Sequence, residues 1–255
     1  MAILTVSLPP IRVRHEVART SRCAPVGCPY NQKVSGSSGG DRVTTCYLVR
    51  HCDVENPRGV IYGHLPGYPL SERGREQARR LGDFLSRRGV AAVYTSPLER
   101  AVQTTQIIRE RMGGSVPFLR APGLIEAEFG RYLQGIPYAQ IPWRRPRWFA
   151  HMIWPGLLPG DESVTSMYRR VEAVVQQGLR EQGERPFALV SHGDPIQAYW
   201  TTAERRPPWA LHRLQCAKGG LLELSLREGK LIGKSYLSAE AIAGELTLPQ
   251  VAASA

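Results

Sequence analysis

Short apolar runs alternate with amphipathic stretches along this chain from residue 43 onward, and few architectures accept that order. Residues 44–49 make a short apolar run that ends at a charged pair, as a buried strand does. Ser71 suits the N-cap of a helix over 71–88, with Ala78, Leu81 and Leu85 on one face and Gly89 as the stop. A second strand is expected at 91–95 and a second helix at 98–112, closed by Gly113 and Gly114. A third strand is expected at 116–119. Val164, Met167, Tyr168, Val171, Val174, Val175 and Leu179 give a longer helix, 164–179, its apolar face. Residues 187–190 read as a central strand, and 221–226 with 231–237 as a hairpin around Glu228 and Gly229. This alternation predicts an α/β fold: a three-layer sandwich with a mostly parallel central sheet and helices on both faces.

At 255 residues the chain has room for one such domain. Residues 1–42 stand apart. They hold six Lys/Arg against Glu16 and Asp41 and run into a Gly/Ser stretch at 35–40, so they read as a disordered basic tail and linker. The domain is expected over 43–240, with a small lid insert near 136–160 and a C-terminal tail at 241–255. Five cysteines (Cys23, Cys28, Cys46, Cys52, Cys216) are too few for a disulfide scaffold, and Cys23 and Cys28 have no second pair to complete a zinc site. Reduced thiols and the lack of a long apolar stretch suggest a cytoplasmic protein that neither enters nor crosses a membrane. The net charge of +11 favours an anionic partner: a phosphorylated metabolite, nucleic acid or a membrane surface.

Three chemistry-bearing segments share one position, immediately after a predicted strand. Arg50-His51 follows the first, Ser96-Pro97-Leu98-Glu99-Arg100 the second, and Ser191-His192-Gly193 the strand at 187–190. Ligands of open α/β sheets bind beyond the carboxyl ends of the strands, so these groups can converge on one crevice. Two arginines and two histidines around a point suit a dianionic phosphate, which guanidinium forks hold through charge-assisted hydrogen bonds.

Leu48-Val49-Arg50-His51 resembles the Arg-His-Gly signature of the histidine phosphatase superfamily, the group that includes cofactor-dependent phosphoglycerate mutases. Further matches follow in the family's order. The run from Leu70 to Ala78 resembles its L-S/T-x-x-G-x-x-Q-A helix start, and Ser96 to Thr104 its S-P-L-x-R-A-x-Q-T segment. Leu124-Ile125-Glu126-Ala127-Glu128-Phe129-Gly130 is similar to its acid-bearing loop. Gly160-Asp161-Glu162-Ser163 is similar to its Gly-Glu-Ser turn with one residue inserted, and Ser191-His192-Gly193 to its second histidine. The resemblance implies that His51 attacks phosphorus and becomes phosphohistidine, while Arg50, Arg100 and His192 hold the phosphoryl oxygens. Glu126 is implied as general acid and then base, with Glu128 as the alternative. Neither a cofactor nor a metal is implied.

The chain departs from the pattern after the nucleophile. Cys52 stands where the family has glycine, a position where the backbone approaches phosphate closely, so glycine at 52 is expected to match or exceed native turnover. The family often has an asparagine seven residues after the arginine; Pro57 is there, which leaves Asn56 as the expected phosphate ligand. His51-Cys52 through Arg58 also imitates the H-C-x5-R loop of cysteine-based phosphatases. Two carboxylates and a proline within that loop argue against it, as does the lack of a following helix.

The short segment between Gly135 and Glu162, and His192-Gly193-Asp194-Pro195 in place of the mutases' His-Gly-Asn-Ser, favour hydrolysis over phosphoglycerate-mutase-type transfer. The insert carries Trp143-Arg144-Arg145-Pro146-Arg147-Trp148-Phe149, and no acidic residue occurs from 129 to 160. One reading is a lid whose aromatics stack on an organic moiety and whose Arg144, Arg145 and Arg147 hold further negative charge; the other is a helix with its tryptophans on the core and its arginines in water. A phosphomonoesterase of a small phosphorylated metabolite is the expectation. A non-catalytic phospho-ligand or RNA-binding protein on the same fold is the rival, although no RNA-recognition signature is present. Composition is silent on oligomeric state.

Overall fold

The computed structural model describes residues 42–128, 130–158 and 160–247. The basic segment read from residues 1–42 lies outside the described residues apart from Arg42. In chain order the elements are β1 (Val43–Arg50), α1 (Glu72–Arg87), β2 (Ala92–Thr95), α2 (Glu99–Arg111) and β3 (Phe118–Arg120). The short helices α3 (Gly130–Leu133), α4 (Ile141–Arg144) and α5 (Trp148–Ile153) come next, then α6 (Val164–Gln182), β4 (Phe187–Ser191) and α7 (Gly193–Ala203). The hairpin β5 (Leu221–Arg227) and β6 (Lys230–Leu237) and the helix α8 (Ala239–Thr247) complete the described chain.

The six strands form one sheet in the order β3-β2-β4-β1-β5-β6. The pairs β3-β2, β2-β4 and β4-β1 are parallel, while β1-β5 and β5-β6 are antiparallel. Side chains of a strand alternate between the two faces, and the register keeps like with like. Tyr47 and Val49 lie opposite Ala188 and Val190 and pack with Phe84, Leu85 and Ile108 of α1 and α2. Cys46 and Leu48 lie opposite Phe187 and Leu189 and pack with Val171 and Val175 of α6 and Ile196 and Tyr199 of α7. Helices therefore cover both faces, as the alternation of the sequence requires.

The adjacent strands β1 and β4 send their chains to opposite faces, β1 toward α1 and β4 into α7, so a crevice opens between their carboxyl ends. The helices α7 and α8 were not expected. No element is expected directly after His192, yet proline is tolerated in the first turn of a helix, where its missing N–H has no partner to lose, and α7 begins there. Residues 241–247, the described part of the segment read as a tail, belong to α8, whose Ile242 is buried against the α1 side of the core. Two apolar anchors, Ile242 and the partly buried Leu246, in a nine-residue segment give too weak a periodic signal to read.

Candidate active site

Arg50 is the last residue of β1, and the backbone pairing continues past it. His51 N–H donates to Ser191 O at 2.9 Å, and Ser96 N–H donates to Val190 O at 2.9 Å. These bonds bring the three loops after β1, β2 and β4 to one point. The loop after β1 is fastened to α1: Ser71, the N-cap, donates through Oγ to Asp53 Oδ2 at 2.8 Å, and Asp53 N–H donates to Gln77 Oε1 at 3.0 Å. Gly74 makes this approach possible, because a Cβ there would sit 2.0 Å from Asp53 O. Lys218 binds the other carboxylate oxygen at 2.8 Å. Burial works against the Asp53 charge, but the hydrogen bonds from Lys218 and Ser71 outweigh it and hold the carboxyl below its ordinary range. Thr104 ties α2 to the same loop, accepting Cys52 N–H at 3.1 Å and donating to Arg100 O at 2.8 Å.

His51 and His192 are fully buried, with ring centroids 5.1 Å apart. His51 Nδ1 lies 2.8 Å from Cys52 O, a carbonyl that can only accept, so Nδ1 carries the hydrogen. The lone pair is then on Nε2, where Arg100 Nε donates at 3.2 Å. Burial first, then the charges of Arg100 and Arg50, push the His51 pKa well below its ordinary value. The ring is neutral at physiological pH, which is the nucleophilic form.

His192 Nε2 lies 2.7 Å from Ser96 Oγ, which also accepts the Leu98 N–H. In the tautomer in which Ser96 donates to Nε2, the one that suits an anion beside Nδ1, the hydrogen of His192 sits on Nδ1. Burial, followed by Arg100 and His51, keeps this ring neutral too. His192 Nδ1 and Arg50 Nε are buried and have no hydrogen-bond partner among the described residues. Leaving a buried donor unpaired costs about 1–3 kcal/mol, so Arg50 Nε beside His51, joined by His192 Nδ1 in that tautomer, suits an acceptor-rich anion. Arg50 is further held by its Nη1 bond to Cys216 O at 2.5 Å.

A pocket of about 410 Å³ opens from this point, lined among others by Arg50, Tyr62, Glu126, Trp148, Asp194 and Gln215. Glu126 anchors one carboxylate oxygen on Ala127 N–H at 3.0 Å and holds the other 3.9 Å from His192 Nδ1. Glu128 instead faces His64, 3.8 Å from its Nδ1, and does not line the pocket. Asp194, which the sequence reading passed over, sits in the first turn of α7; burial and then the Glu126 charge push its carboxyl up, to about 8. Tyr62 was also missed. It lies under the Arg100 guanidinium at 4.7 Å and edge-on to His51 at 6.4 Å. No local pattern marks either residue.

Asn56 does not join the site: Nδ2 donates to Val60 O at 2.8 Å and Oδ1 accepts Val60 N–H at 3.1 Å. Its amide closes a loop and it does not line the pocket. The lid arginines are also elsewhere. Arg144 and Arg147 are exposed, and Arg145 lies over the Tyr132 ring while its Nε donates to Tyr132 O. The insert faces the pocket with Ile141, Trp148, His151 and Met152 instead. A guanidinium keeps its water when it points outward, and Trp143, Phe149, Ile153 and Trp154 are exposed as well, so only Ile141, Trp148 and Met152 of the apolar residues in α4 and α5 turn toward the pocket.

Cys52 has a negative φ and a fully buried side chain packed in the core beside Val49 and Ala101. Burial pushes its thiol up to about 12. The H-C-x5-R resemblance therefore carries no thiolate, and the expected benefit of glycine at 52 is corrected: the backbone does not need glycine and the core uses the side chain. Among the described residues no group of three or more His, Cys, Asp or Glu side chains is placed to hold a metal ion, and no helix is long and apolar enough to cross a membrane.

A model of the histidine phosphatase superfamily, branch 1, matches residues 46–236. The chain is 28% identical over 197 residues to the probable phosphoglycerate mutase GpmB of Salmonella paratyphi B, covering 75% of this chain and 89% of that protein. Among solved structures, YhfR of Bacillus stearothermophilus has a TM-score of 0.66 at 26% identity, covering 74% of this chain and 94% of the other. Mycobacterial glucosyl-3-phosphoglycerate phosphatase has a TM-score of 0.62 at 25% identity, covering 72% and 91%. The family match runs across β1, α2 and β4, whose ends present the two arginines and the paired histidines, and the chain belongs to the histidine phosphatase superfamily.

Proposed function

We propose that the chain is a phosphomonoesterase that hydrolyses a small organic phosphate through a phosphohistidine on His51. The observation that carries this reading is the pair of buried atoms without a partner, Arg50 Nε and His192 Nδ1, beside the unprotonated Nε2 of a neutral His51, which accepts only from Arg100 Nε. These donors and Arg100 Nε match the equatorial oxygens of a phosphoryl group, whose transfer depends on positioning and charge stabilisation. His51 Nε2 forms the bond to phosphorus as the ester oxygen departs, and Glu126 gives that oxygen its proton. Water then attacks, the P–N bond breaks, the proton returns to Glu126, and inorganic phosphate leaves. Asp194, held protonated at neutral pH, adds no second negative charge opposite the phosphate.

The phosphatase named among the similar structures supports hydrolysis. Transfer between hydroxyls is the second reading, favoured by the name of the Salmonella relative. The test is a metabolite panel with phosphate release and mutase activity read side by side, on the native chain and His51→Ala. Hydrolysis with an acid-labile, alkali-stable phosphoryl-enzyme that His51→Ala lacks is the expected result. Turnover by His51→Ala, or isomerisation of phosphoglycerate without phosphate release, refutes the proposal.

A further inference from the structure

Three polar side chains that the phosphoryl step does not use stand in a row at the lid end of the pocket. His151 comes from α5, Asp161 from the loop before α6, and His212 from the 3-10 turn Pro208–Arg213. Asp161 Oδ2 accepts His151 Nδ1–H at 2.7 Å and Gly156 N–H at 2.8 Å. His151 Nε2 faces His212 Nε2 at 3.1 Å. The side chains of His151 and Asp161 are each 3% exposed, and both histidines line the pocket that holds Arg50 and Glu126. Segments 51 and 61 residues away from one another meet here, so this is a built feature of the tertiary structure.

The bonds dictate what the end of the row can offer. The Asp161 carboxylate requires the hydrogen of His151 on Nδ1. One hydrogen is shared between the facing Nε2 atoms. Where His212 supplies that hydrogen, its Nδ1 is an acceptor; where His212 accepts it, its Nδ1 carries hydrogen. His212 itself is neutral at physiological pH, because burial and then His151 push it down to about 4. The hydrogen bond of half-buried His212 runs through Nε2, which leaves Nδ1 to a ligand in the pocket that the residue lines. A hydroxyl can meet either state, since it both donates and accepts; a carboxylate or phosphate meets only the second, and an ammonium only the first.

We propose that His212, oriented by His151 and Asp161, is a specificity residue that binds a hydroxyl on the organic part of the phosphate ester. His151 and Asp161 are positioning residues. The inference rests on the phosphomonoesterase reading above, which puts the phosphate at His51 and the organic part toward the lid. A site that bonds a substrate hydroxyl discriminates strongly against analogues without it, because its own polar atom is then left unpaired.

The test pairs hydroxylated esters with their deoxygenated counterparts: glucose 6-phosphate with cyclohexylmethyl phosphate, and glycerol 3-phosphate with propyl phosphate. Kinetics of each, with p-nitrophenyl phosphate as reference, are measured for the native chain, His212→Phe, His212→Asn and Asp161→Asn. The native chain is expected to prefer a hydroxylated ester by about tenfold or more in kcat/KM. His212→Phe removes most of that preference through KM, His212→Asn restores part of it by keeping an acceptor near the Nδ1 position, and Asp161→Asn weakens it. No preference in any native pair, a preference that survives His212→Phe, or a loss in kcat shared equally by p-nitrophenyl phosphate overturns the assignment. If the native chain hydrolyses none of these esters, the phosphomonoesterase reading fails. Calorimetric binding of the same pairs then decides on His212: equal weakening of both members by His212→Phe overturns its role, and selective loss of the hydroxylated member upholds it.

Discussion

Replacing Gly193 with alanine separates phosphate positioning from stability at a single atom. Gly193 opens α7, and an added Cβ would lie 3.1 Å from Arg50 Cζ, 3.2 Å from Nη2 and 3.4 Å from Nη1. That is a few tenths of an ångström too close. The guanidinium cannot simply swing away, because Nη1 is tied to Cys216 O at 2.5 Å. Its fork is therefore tilted off the phosphoryl oxygens. A hydrogen bond to a charged group contributes about 1.5–3 kcal/mol, and losing a third to a half of it costs about 1 kcal/mol of transition-state stabilisation. At about 1.4 kcal/mol per decade, kcat/KM for an aryl phosphate should fall about fivefold. Affinity for vanadate, which imitates the five-coordinate phosphoryl group, should fall in parallel. Stability should move the other way or not at all, since alanine is the better helix former by up to about 1 kcal/mol and φ at 193 is not in the left-handed region. Steady-state kinetics and thermal melts on the same preparation test both. A kcat/KM within twofold of native, or an activity loss that tracks a lowered Tm, refutes the geometry argued for Arg50.

Cys52→Ala should retain the phosphoryl-enzyme and most of the turnover, while Cys52→Gly should lose about 1–3 kcal/mol of stability through lost core packing and added backbone freedom, read by chemical denaturation. A wild-type Tm for Cys52→Gly would show that the core does not use this side chain. Glu126→Gln should slow hydrolysis of an alkyl phosphate, whose leaving oxygen needs a proton, at least tenfold more than that of p-nitrophenyl phosphate, about the low end of general-acid contributions; equal slowing of both removes Glu126 from the acid role. Acidification from pH 6.5 toward about 5 should destabilise the fold, because His51, His192 and His212 have folded pKa values lowered below 6.5 and take up protons only on unfolding. Asp194, raised to about 8, opposes this with one proton in the other direction, which leaves a net uptake of about two and a slope of up to about 2–3 kcal/mol per pH unit. Denaturation midpoints that stay constant between pH 7 and 5.5 would contradict the buried neutral histidines.

Much of the architecture is legible in the amino-acid order, because local rules suffice for it. The strand and helix periods place β1, α1, α2, α6, β4 and the β5-β6 hairpin within a few residues, and Ser71 caps α1 as its chemistry predicts. That Arg50, His51, Arg100 and His192 converge is also legible, since each ends a strand, follows one or lies in the first turn of the next helix, and parallel strands deliver such residues to one edge. Side-chain direction is a different matter. Arg144, Arg145 and Arg147 share a short insert with Trp148, and only packing against Ile61, Leu133 and Ile141 decides that the tryptophan turns inward. Asn56 stands close to His51 in sequence, but its amide is taken by Val60 a few residues on. The Asp161–His151–His212 row has no sequence signal at all, because its members belong to three separate segments of unrelated local pattern. Periodicity and strand ends are properties of neighbours along the chain, so the sequence alone determines the sheet and the phosphate-facing edge. Which polar atom meets which across a pocket depends on contacts between distant segments, and only the tertiary structure decides that.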